Sequence, residues 1–579
     1  ANWTKACSAQ GSVPVIKHFA ANNQETNRNS VNAVVDERTM HEIYLPAFKK
    51  AVQEGGTVAV MCSYNRLNGS YASNNDWLLN QVLRTQWSFK GLVMSDWGAS
   101  HSPDDILKGL DLEMPSGQNL NGNRFEQAVA DGTMKDGELR TAIDLSVQRI
   151  LRTAAAMGWL DAGWVSRDEK LPLDSPDSTK TALDIAREAM VLLKNAGNML
   201  PLDRSKVKNI VVVGPNATRA MPAAPAPAAA GAAPAGGGRG RGGRGGQQRG
   251  GTSATNIGGG GSGAVTPFPA HDDEGDYYKG IEKAAGAGVK VTYLPVAAEQ
   301  LTDGSEALAQ IKAADAVVVC VGLNRNSEAE GRDRAFDLPA AQLALINAVG
   351  KLNAHAVVIN NSGGGVGVLP WKDNAAAIIH AYYLGQEGGL AIGQMLFGDI
   401  SPSGRLCSTF DARWEDNPAF AYYPGTNQAG IPTEPYTEGI FYGYRGYDKA
   451  GKEPLFPFGF GLTYTTFALT NLKVDPAGTG MTASLDVKNT GSRAAAEVVQ
   501  IYVGEANPVV PRPARELKGF AKVMLNPGES KHVTVSLPAE SFAYWSPAKK
   551  DWTTDTGATF TVEAAESERD VKLKQTLTR

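Results

Sequence analysis

The chain has 579 residues, of which 42% are hydrophobic and 20% charged, and its formal net charge is −4. This length predicts several globular domains, and the small net charge gives no reason to expect a polyanionic partner. No apolar run approaches the roughly 18–20 residues of a membrane-spanning helix, so no membrane partner is predicted. The four cysteines stand far apart, without the spacing of a metal site.

Residues 1–165 alternate short apolar runs with helical patterns. The runs at 13–16, 57–61 and 92–94 read as buried strands, and this alternation predicts a right-handed parallel βα series. Each strand ends in polar or aromatic groups, namely Lys17, His18, Tyr64, Asp96 and Trp97. Because barrel enzymes keep their chemistry at the carboxyl ends of parallel strands, these groups predict one active-site face.

Residues 166–180 are polar and contain prolines, which predicts a linker. A second α/β unit follows over residues 181–410. Its apolar runs alternate with helical patterns, which indicates a largely parallel sheet flanked by helices. Strands are predicted at 209–214, 289–293, 316–322 and 356–360, and helices at 338–352 and 390–397.

The second unit contains a low-complexity segment, residues 220–263, rich first in Ala and Pro and then in Gly and Arg. This composition cannot bury a core, so the segment is predicted to be a surface loop. Its arginines among glycines resemble RNA-binding segments. A solvated insertion is the simpler interpretation, and nucleic-acid binding remains the alternative.

The last part of the chain has an all-β pattern. Residues 411–463 form a connector rich in Gly, Pro and Tyr, and residues 464–579 contain short alternating strands separated by turn residues. This spacing predicts an immunoglobulin-like or fibronectin-like β-sandwich. Such a domain is more often structural than catalytic.

Five motifs follow one another along the chain. They are IKHFAANNQETNR at 16–28, MCSYNRLNG at 61–69, MSDW at 94–97, EAEGRDR at 328–334 and PFGFGLTY at 457–464. Together they resemble glycoside hydrolase family 3, the β-glucosidase and β-xylosidase type. The resemblance covers essentially the whole chain. It implies a multidomain α/β protein with a (β/α)8-type barrel, an α/β sandwich and a fibronectin type III-like domain.

The resemblance implies a retaining hydrolase that removes a β-linked sugar from a non-reducing end, using two carboxyl groups about 5 Å apart. Asp96 would be the nucleophile and Glu330 the acid/base. Glu328 is a nearby competitor, but the family's Glu-Gly-x-Asp-Arg pattern selects Glu330. The alternative is that Glu330 only pairs with Arg334. Neither a metal nor a cofactor is expected, since the mechanism needs carboxylates and water.

The resemblance also assigns substrate-binding roles. Lys17, His18 and Arg28 would donate to sugar hydroxyls, and Lys17 and Arg28 would keep Asp96 ionised. Tyr64 would stand beside the nucleophile, Trp97 would be a platform at the subsite edge, and a loop serine would reach the sugar. The residues assigned in this way are Lys17, His18, Arg28, Tyr64, Trp97 and Ser262. Asp111 lies in a further family motif and is interpreted as structural.

Two features concern the position of this chain within the family. Its loop at 17–22 reads KHFAAN and lacks the second histidine of the N-acetylglucosaminidase branch, which disfavours that branch. A complete (β/α)8 barrel takes about 250 residues. Residues 1–165 are therefore predicted to be the C-terminal part of a barrel. Other members carry earlier strands, with an aspartate and arginines that bind the sugar.

The most favoured function is a β-glucosidase acting on small β-glucosides or oligosaccharides. A β-xylosidase is the next interpretation, followed by an inactive carbohydrate-binding relative or fragment. The family also leads us to expect a periplasmic or secreted protein.

Overall fold

The computed structural model describes residues 1–160, 174–219, 275–324 and 326–579. Its N-terminal region contains β1 (Val15–Phe19), β2 (Asn32–Val34), β3 (Ala59–Cys62), β4 (Arg66–Leu67), β5 (Ser70–Tyr71) and β6 (Leu92–Ser95). Strands β1, β3 and β6 form a parallel sheet with β3 in the centre. Because all three strands run in the same direction, their carboxyl ends meet at one edge, as the sequence predicted.

Helices cover this sheet. Leu78, Leu79, Val82 and Leu83 are fully buried on one face of a π-helix and join the cluster that contains Phe19, Val60 and Val93 from the strands. The α-helices are Asn2–Ala9, Glu37–Thr39, Pro46–Gln53, Gly122–Ala130 and Asp136–Ala156; the π-helices are Met40–Tyr44 and Trp77–Gln86; the 3-10 helices are Ala72–Asn74 and Pro103–Lys108. Within the described ranges, no helix combines the length and the apolar character that crossing a membrane requires.

The second region is built on a six-stranded sheet. Its strands are β7 (Val191–Asn195), β8 (Asn209–Val213), β9 (Lys290–Leu294), β10 (Ala316–Gly322), β11 (Ala356–Asn361) and β12 (Ala377–His380). Their order is β7-β12-β11-β10-β8-β9, and every pair is parallel except β12 with β7. Every residue of β10 and β11 is buried, which explains their continuous apolar sequence.

Helices pack on both faces of this sheet, because alternate residues of its strands belong to two separate apolar clusters. The α-helices are Pro176–Ala189, Tyr277–Ala285, Glu306–Ala313, Ala340–Leu352 and Gly388–Leu396, and the 3-10 helices are Ala196–Asn198, Ala298–Gln300 and Lys372–Asn374.

The prediction of a linker over 166–180 does not hold for its last residues, because a helix begins at Pro176. Ser175 caps this helix by accepting a hydrogen bond from the Ser178 N–H, and proline is tolerated in a first helical turn. The proline therefore starts a helix here instead of marking a loop. The remainder of the predicted linker up to residue 173, and the insertion at 220–263 with its nucleic-acid alternative, lie outside the described residues.

The connector returns to the N-terminal region. Its strands β13 (Thr426–Gln428) and β14 (Ile431–Pro435) extend a sheet with the order β13-β14-β2-β4-β5. Strand β14 pairs in parallel with β2, so that Glu434 lies opposite Ala33. The connector also contains the 3-10 helix Trp414–Asp416 and the α-helix Tyr444–Ala450. Its pairing with β2 was not predicted from the sequence.

The C-terminal region is the expected antiparallel β-sandwich. Its strands are β15 (Phe467–Ala477), β16 (Gly480–Asn489), β17 (Ala495–Ala506), β18 (Glu516–Leu525), β19 (Ser530–Leu537), β20 (Tyr544–Ser546), β21 (Asp551–Thr553), β22 (Thr559–Ser567) and β23 (Asp570–Thr578), with a 3-10 helix at Ala539–Phe542. A three-stranded sheet, β15-β16-β19, faces a four-stranded sheet, β18-β17-β22-β23. Strands β20 and β21 form a separate hairpin.

This hairpin docks on the N-terminal region. The Trp545 ring stacks on His41 with centroids 3.6 Å apart, and the Trp545 backbone N–H donates to Glu42 Oε1 at 2.8 Å. Lys49 pairs with Glu540 at 2.7 Å. Burial lowers the pKa of His41 from an ordinary 6.5 to about 4, which outweighs the opposing charge of Glu37. His41 is therefore neutral in the folded protein at neutral pH.

We expect His41 to make the protein less stable in mild acid. Since the folded pKa lies below the unfolded one, the contribution is complete above about pH 6.5 and is lost as the pH falls towards 4. Urea unfolding should show that His41→Phe removes about 2 kcal/mol of the stability difference between pH 7 and pH 5. His532→Gln, at an exposed histidine, is the control. An identical pH dependence in wild type and His41→Phe would contradict this role.

Candidate active site

Asp96 immediately follows strand β6 and lies at the shared carboxyl edge of the parallel sheet. Its N–H donates to the carbonyl of Cys62 on β3 at 3.3 Å, and only 7% of the residue is exposed. On the other side of β6, Ser95 N–H donates to Leu112 O at 2.9 Å. The backbone is thus held on both sides, which directs the Asp96 side chain beyond the strand end.

Three donors surround the Asp96 carboxylate. The Tyr64 hydroxyl and the Trp97 backbone N–H donate to Oδ1 at 2.9 and 2.7 Å, and His18 Nε2 lies 3.1 Å from Oδ2. Burial alone would raise the pKa of this carboxyl. The hydrogen bonds outweigh burial and hold the pKa of Asp96 below its ordinary value. The carboxylate is therefore ionised at neutral pH.

The groups that ionise Asp96 differ from those expected. Lys17 is exposed, whereas Arg28 donates to Glu330 Oε2 at 3.0 Å and to Glu25 Oε2 at 2.9 Å. The Arg28 guanidinium also lies 4.7 Å from the centroid of the Tyr64 ring. Arg28 thus connects the acidic group of the second region to the aromatic ring that holds Asp96.

Glu330 comes from the second region, in the loop after β10. This loop is tied to residues 25–28 by reciprocal hydrogen bonds. Asp333 accepts from the N–H groups of Glu25 and Thr26 at 2.9 and 2.8 Å, and Glu25 Oε2 accepts from Gly331 N–H at 2.7 Å. Burial opposes ionisation of Asp333, but the hydrogen bonds outweigh it and keep its pKa below the ordinary value.

The two candidate glutamates have different surroundings. Glu328 accepts a hydrogen bond from the Tyr383 hydroxyl, within the second region. Glu330 faces the N-terminal region, with its side chain 46% exposed and paired with Arg28. Arg334, the alternative partner of Glu330, donates instead to the carbonyl of Gly365 at 2.7 Å. This arrangement favours Glu330 as the carboxyl group that shares a cleft with Asp96.

Comparison with known proteins decides the family. Residues 2–153 match the model of the glycosyl hydrolase family 3 N terminal domain, residues 190–464 that of the family 3 C-terminal domain, and residues 497–568 a fibronectin type III-like domain. The thermostable beta-glucosidase B of Acetivibrio thermocellus is 36% identical over 589 residues, which cover 100% of this chain and 70% of that protein.

The chain belongs to glycoside hydrolase family 3. It is also similar to an exo-α-(1→6)-L-arabinopyranosidase of Bifidobacterium breve, with 36% identity over 96% of this chain and 68% of that protein. The crystal structure of DesR, a β-glucosidase from Streptomyces venezuelae in complex with D-glucose, superposes with a TM-score of 0.83. It is 29% identical, and the match covers 99% of this chain and 83% of that one. The family and the fold class inferred from the sequence are confirmed.

Asp111 of this family 3 chain has a structural position. Its side chain is fully buried, and it pairs with Arg84 at 2.7 Å and Arg149 at 2.9 Å. It also accepts a hydrogen bond from the Val93 N–H at 2.8 Å. None of these three partners of Asp111 is among the residues that donate to the Asp96 carboxylate. Ser262, the predicted sugar-binding serine, lies outside the described residues.

Sequence reasoning missed the residues that join the two halves of the family 3 site. Glu25 and Asp333 both lie in motifs that were noted, but neither was given a role. Tyr423, in the connector, helps to hold the pKa of Asp333 below its ordinary value. The signal was Asp333, the second acidic residue of the EGRDR motif at 330–334. Among residues 1–160, 174–219, 275–324 and 326–579, no cluster of three His, Cys, Asp or Glu could hold a metal.

Removing the Tyr64 hydroxyl should raise the pKa of Asp96, because one of its three donors is lost. The measurement is a ¹³C NMR titration of the aspartate carboxyl groups in Tyr64→Phe, with the Asp96 resonance assigned from Asp96→Asn. Tyr383→Phe, which removes a hydroxyl bonded to Glu328, is the matched control and should leave the Asp96 titration unchanged. If Tyr64→Phe also left it unchanged, His18 and the Trp97 N–H would suffice to hold the carboxylate.

Proposed function

We propose that this family 3 enzyme is a retaining exo-β-glucosidase, with Asp96 as nucleophile and Glu330 as acid/base. The observation that carries the proposal is the pairing of two carboxyl groups in different environments. Asp96 is buried among three donors and ionised, whereas Glu330 is half exposed and reaches the cleft from another region. Such a division of roles is what a double displacement at a sugar carbon requires.

In the first step an Asp96 oxygen attacks the anomeric carbon, and a carbon–oxygen ester bond forms as the bond to the leaving oxygen breaks. Glu330 gives its proton to that oxygen, so the aglycone departs as an alcohol. In the second step Glu330 takes a proton from water, whose oxygen attacks the same carbon and releases Asp96 as carboxylate. Two inversions retain the configuration.

The donors around Asp96 support the second step in particular. His18, Tyr64 and the Trp97 N–H stabilise the free carboxylate, and this makes Asp96 a better leaving group when the ester is hydrolysed. Arg28 holds the Glu330 carboxyl in place through its second contact to Glu25. The half-exposed indole of Trp97 offers an apolar face to a sugar ring.

Two relatives support different sugars. The A. thermocellus relative is a β-glucosidase, and the structural relative DesR holds D-glucose. The B. breve relative, with the same 36% identity, acts on L-arabinopyranosides and makes this pentopyranose the second candidate. An α-L-arabinopyranoside presents its leaving group to the nucleophile as a β-glucoside does, but it lacks the C6 hydroxymethyl and has the opposite configuration at C4. The β-xylosidase alternative is not favoured by these relatives.

Hydrolysis of 4-nitrophenyl β-D-glucopyranoside should depend on both carboxyl groups. Asp96→Asn should abolish turnover, because no ester can form. Glu330→Ala should lower kcat by about 10²–10⁴-fold, the usual contribution of general acid–base catalysis. Azide should restore turnover to Glu330→Ala and yield the β-glucosyl azide, because a small anion needs no base to attack the intermediate. Glu328→Gln is the control. Azide rescue of a Glu328→Ala variant instead would move the acid/base role to Glu328.

The preferred sugar can be determined by comparing the hydrolysis of two substrates. We expect kcat/KM for 4-nitrophenyl β-D-glucopyranoside to exceed that for the α-L-arabinopyranoside by at least about 10-fold, because the missing carbon group alone is worth about 10–200-fold and the inverted C4 hydroxyl adds to the difference. Initial rates with both substrates measure this ratio, and the Asp96→Asn variant supplies the background. A ratio below one would make the arabinopyranoside the substrate while leaving the roles of Asp96 and Glu330 intact.

A further inference from the structure

A second cavity lies where the three regions of the chain meet. Its volume is about 1070 Å³. The N-terminal region contributes the helix Pro46–Gln53 and the π-helix Met40–Tyr44, the connector contributes residues around Tyr442, and the C-terminal hairpin contributes Trp545 and Trp552. None of the contacts described above for Asp96 and Glu330, namely His18, Tyr64, Trp97 and Arg28, belongs to this wall. The cavity is therefore separate from the active site.

The wall combines aromatic faces with hydrogen-bonding groups. Tyr442 is 50% exposed although it lines the cavity, so a large part of its side chain is open to an occupant. Trp552 is partly buried, with its ring 6.0 Å from that of Trp545 and 5.8 Å from Lys49 Nζ. Aromatic rings of this kind pack against the C–H faces of pyranoses, while polar neighbours bind the hydroxyls.

The wall also carries exposed polar side chains. Gln53 and Gln86 line the cavity, and both residues are exposed. Each amide group has donors and an acceptor, so the wall suits an occupant that also supplies both. A hydroxyl group does both, and a polyhydroxylated ligand carries several of them.

The charge of the wall selects against an ionic ligand. It contains five cationic and six anionic side chains, leaving His41 out, and several of them already pair with one another. Lys49 pairs with Glu540, and Lys518 with Glu516. Pockets for small molecules occupy about 300–1,000 Å³, so a cavity of 1070 Å³ has room for more than one sugar ring.

We propose that this cavity, which we name the junction site, binds a short neutral oligosaccharide. Its Tyr442 and Trp552 rings stack on pyranose units, and its exposed polar side chains bind their hydroxyls. The junction site is distinct from the catalytic cleft and holds a glycan without cleaving it. It lies among three regions, so an occupant also contacts residues of all three.

The test is isothermal titration calorimetry of Asp96→Ala with cellotetraose, because this variant cannot cleave the probe. We expect two binding sites per chain. In Asp96→Ala/Tyr442→Ala one of them should weaken by about tenfold or more, the value of one aromatic contact. Tyr442 is half exposed, and its hydroxyl makes no hydrogen bond to the described residues, so the substitution leaves the fold intact. Asp96→Ala/Phe520→Ala, at a 68% exposed ring outside the cavity, is the matched control.

Each result decides the proposal. One site in Asp96→Ala that persists unchanged after Tyr442→Ala would overturn it. Two sites that both persist after Tyr442→Ala and after Trp552→Ala would overturn it as well. One site that disappears with Tyr442→Ala would support the junction site and count against glucan binding beside Asp96. The failure of this proposal is thus distinguishable from that of the proposed catalytic function.

Discussion

The site depends on one pair of reciprocal contacts between two regions of the chain. Asp333 accepts the N–H groups of Glu25 and Thr26, while the Glu25 carboxylate accepts the Gly331 N–H. These bonds set the distance between the loop that carries Glu330 and the strand end that carries Asp96. Charge-assisted hydrogen bonds to backbone donors are short and strong, so they fix the position of this loop.

The two carboxyl groups, Asp96 and Glu330, have different electrostatic environments. All three donors to Asp96 belong to the N-terminal region, and their positions follow from parallel strands that end at one edge. Glu330 is bound by Arg28, which belongs to the N-terminal region. The guanidinium of Arg28 also lies over the Tyr64 ring. A change in the angle between the regions would therefore alter the acid/base group without changing the environment of the nucleophile.

The C-terminal region takes part in this arrangement indirectly. Its hairpin stacks Trp545 on His41, and the connector that precedes it pairs β14 with β2 beside the active-site loop. The connector also supplies Tyr423, which helps to keep the pKa of Asp333 low. The β-sandwich is thus a support that fixes the N-terminal region against the second region. The junction site lies at the centre of this support, which explains why its wall draws on all three parts of the chain.

The amino-acid sequence by itself determined the elements and the position of the nucleophile. The continuous apolar runs of β10 and β11 identified buried parallel strands, and Asp96 was found because it follows such a run. Only the tertiary structure decided the partners: Arg28 binds Glu330, 302 residues away, and β14 joins β2 across the chain. Apolar periodicity records whether a residue is buried. It does not record which distant residue it meets, because that depends on the path of the whole chain.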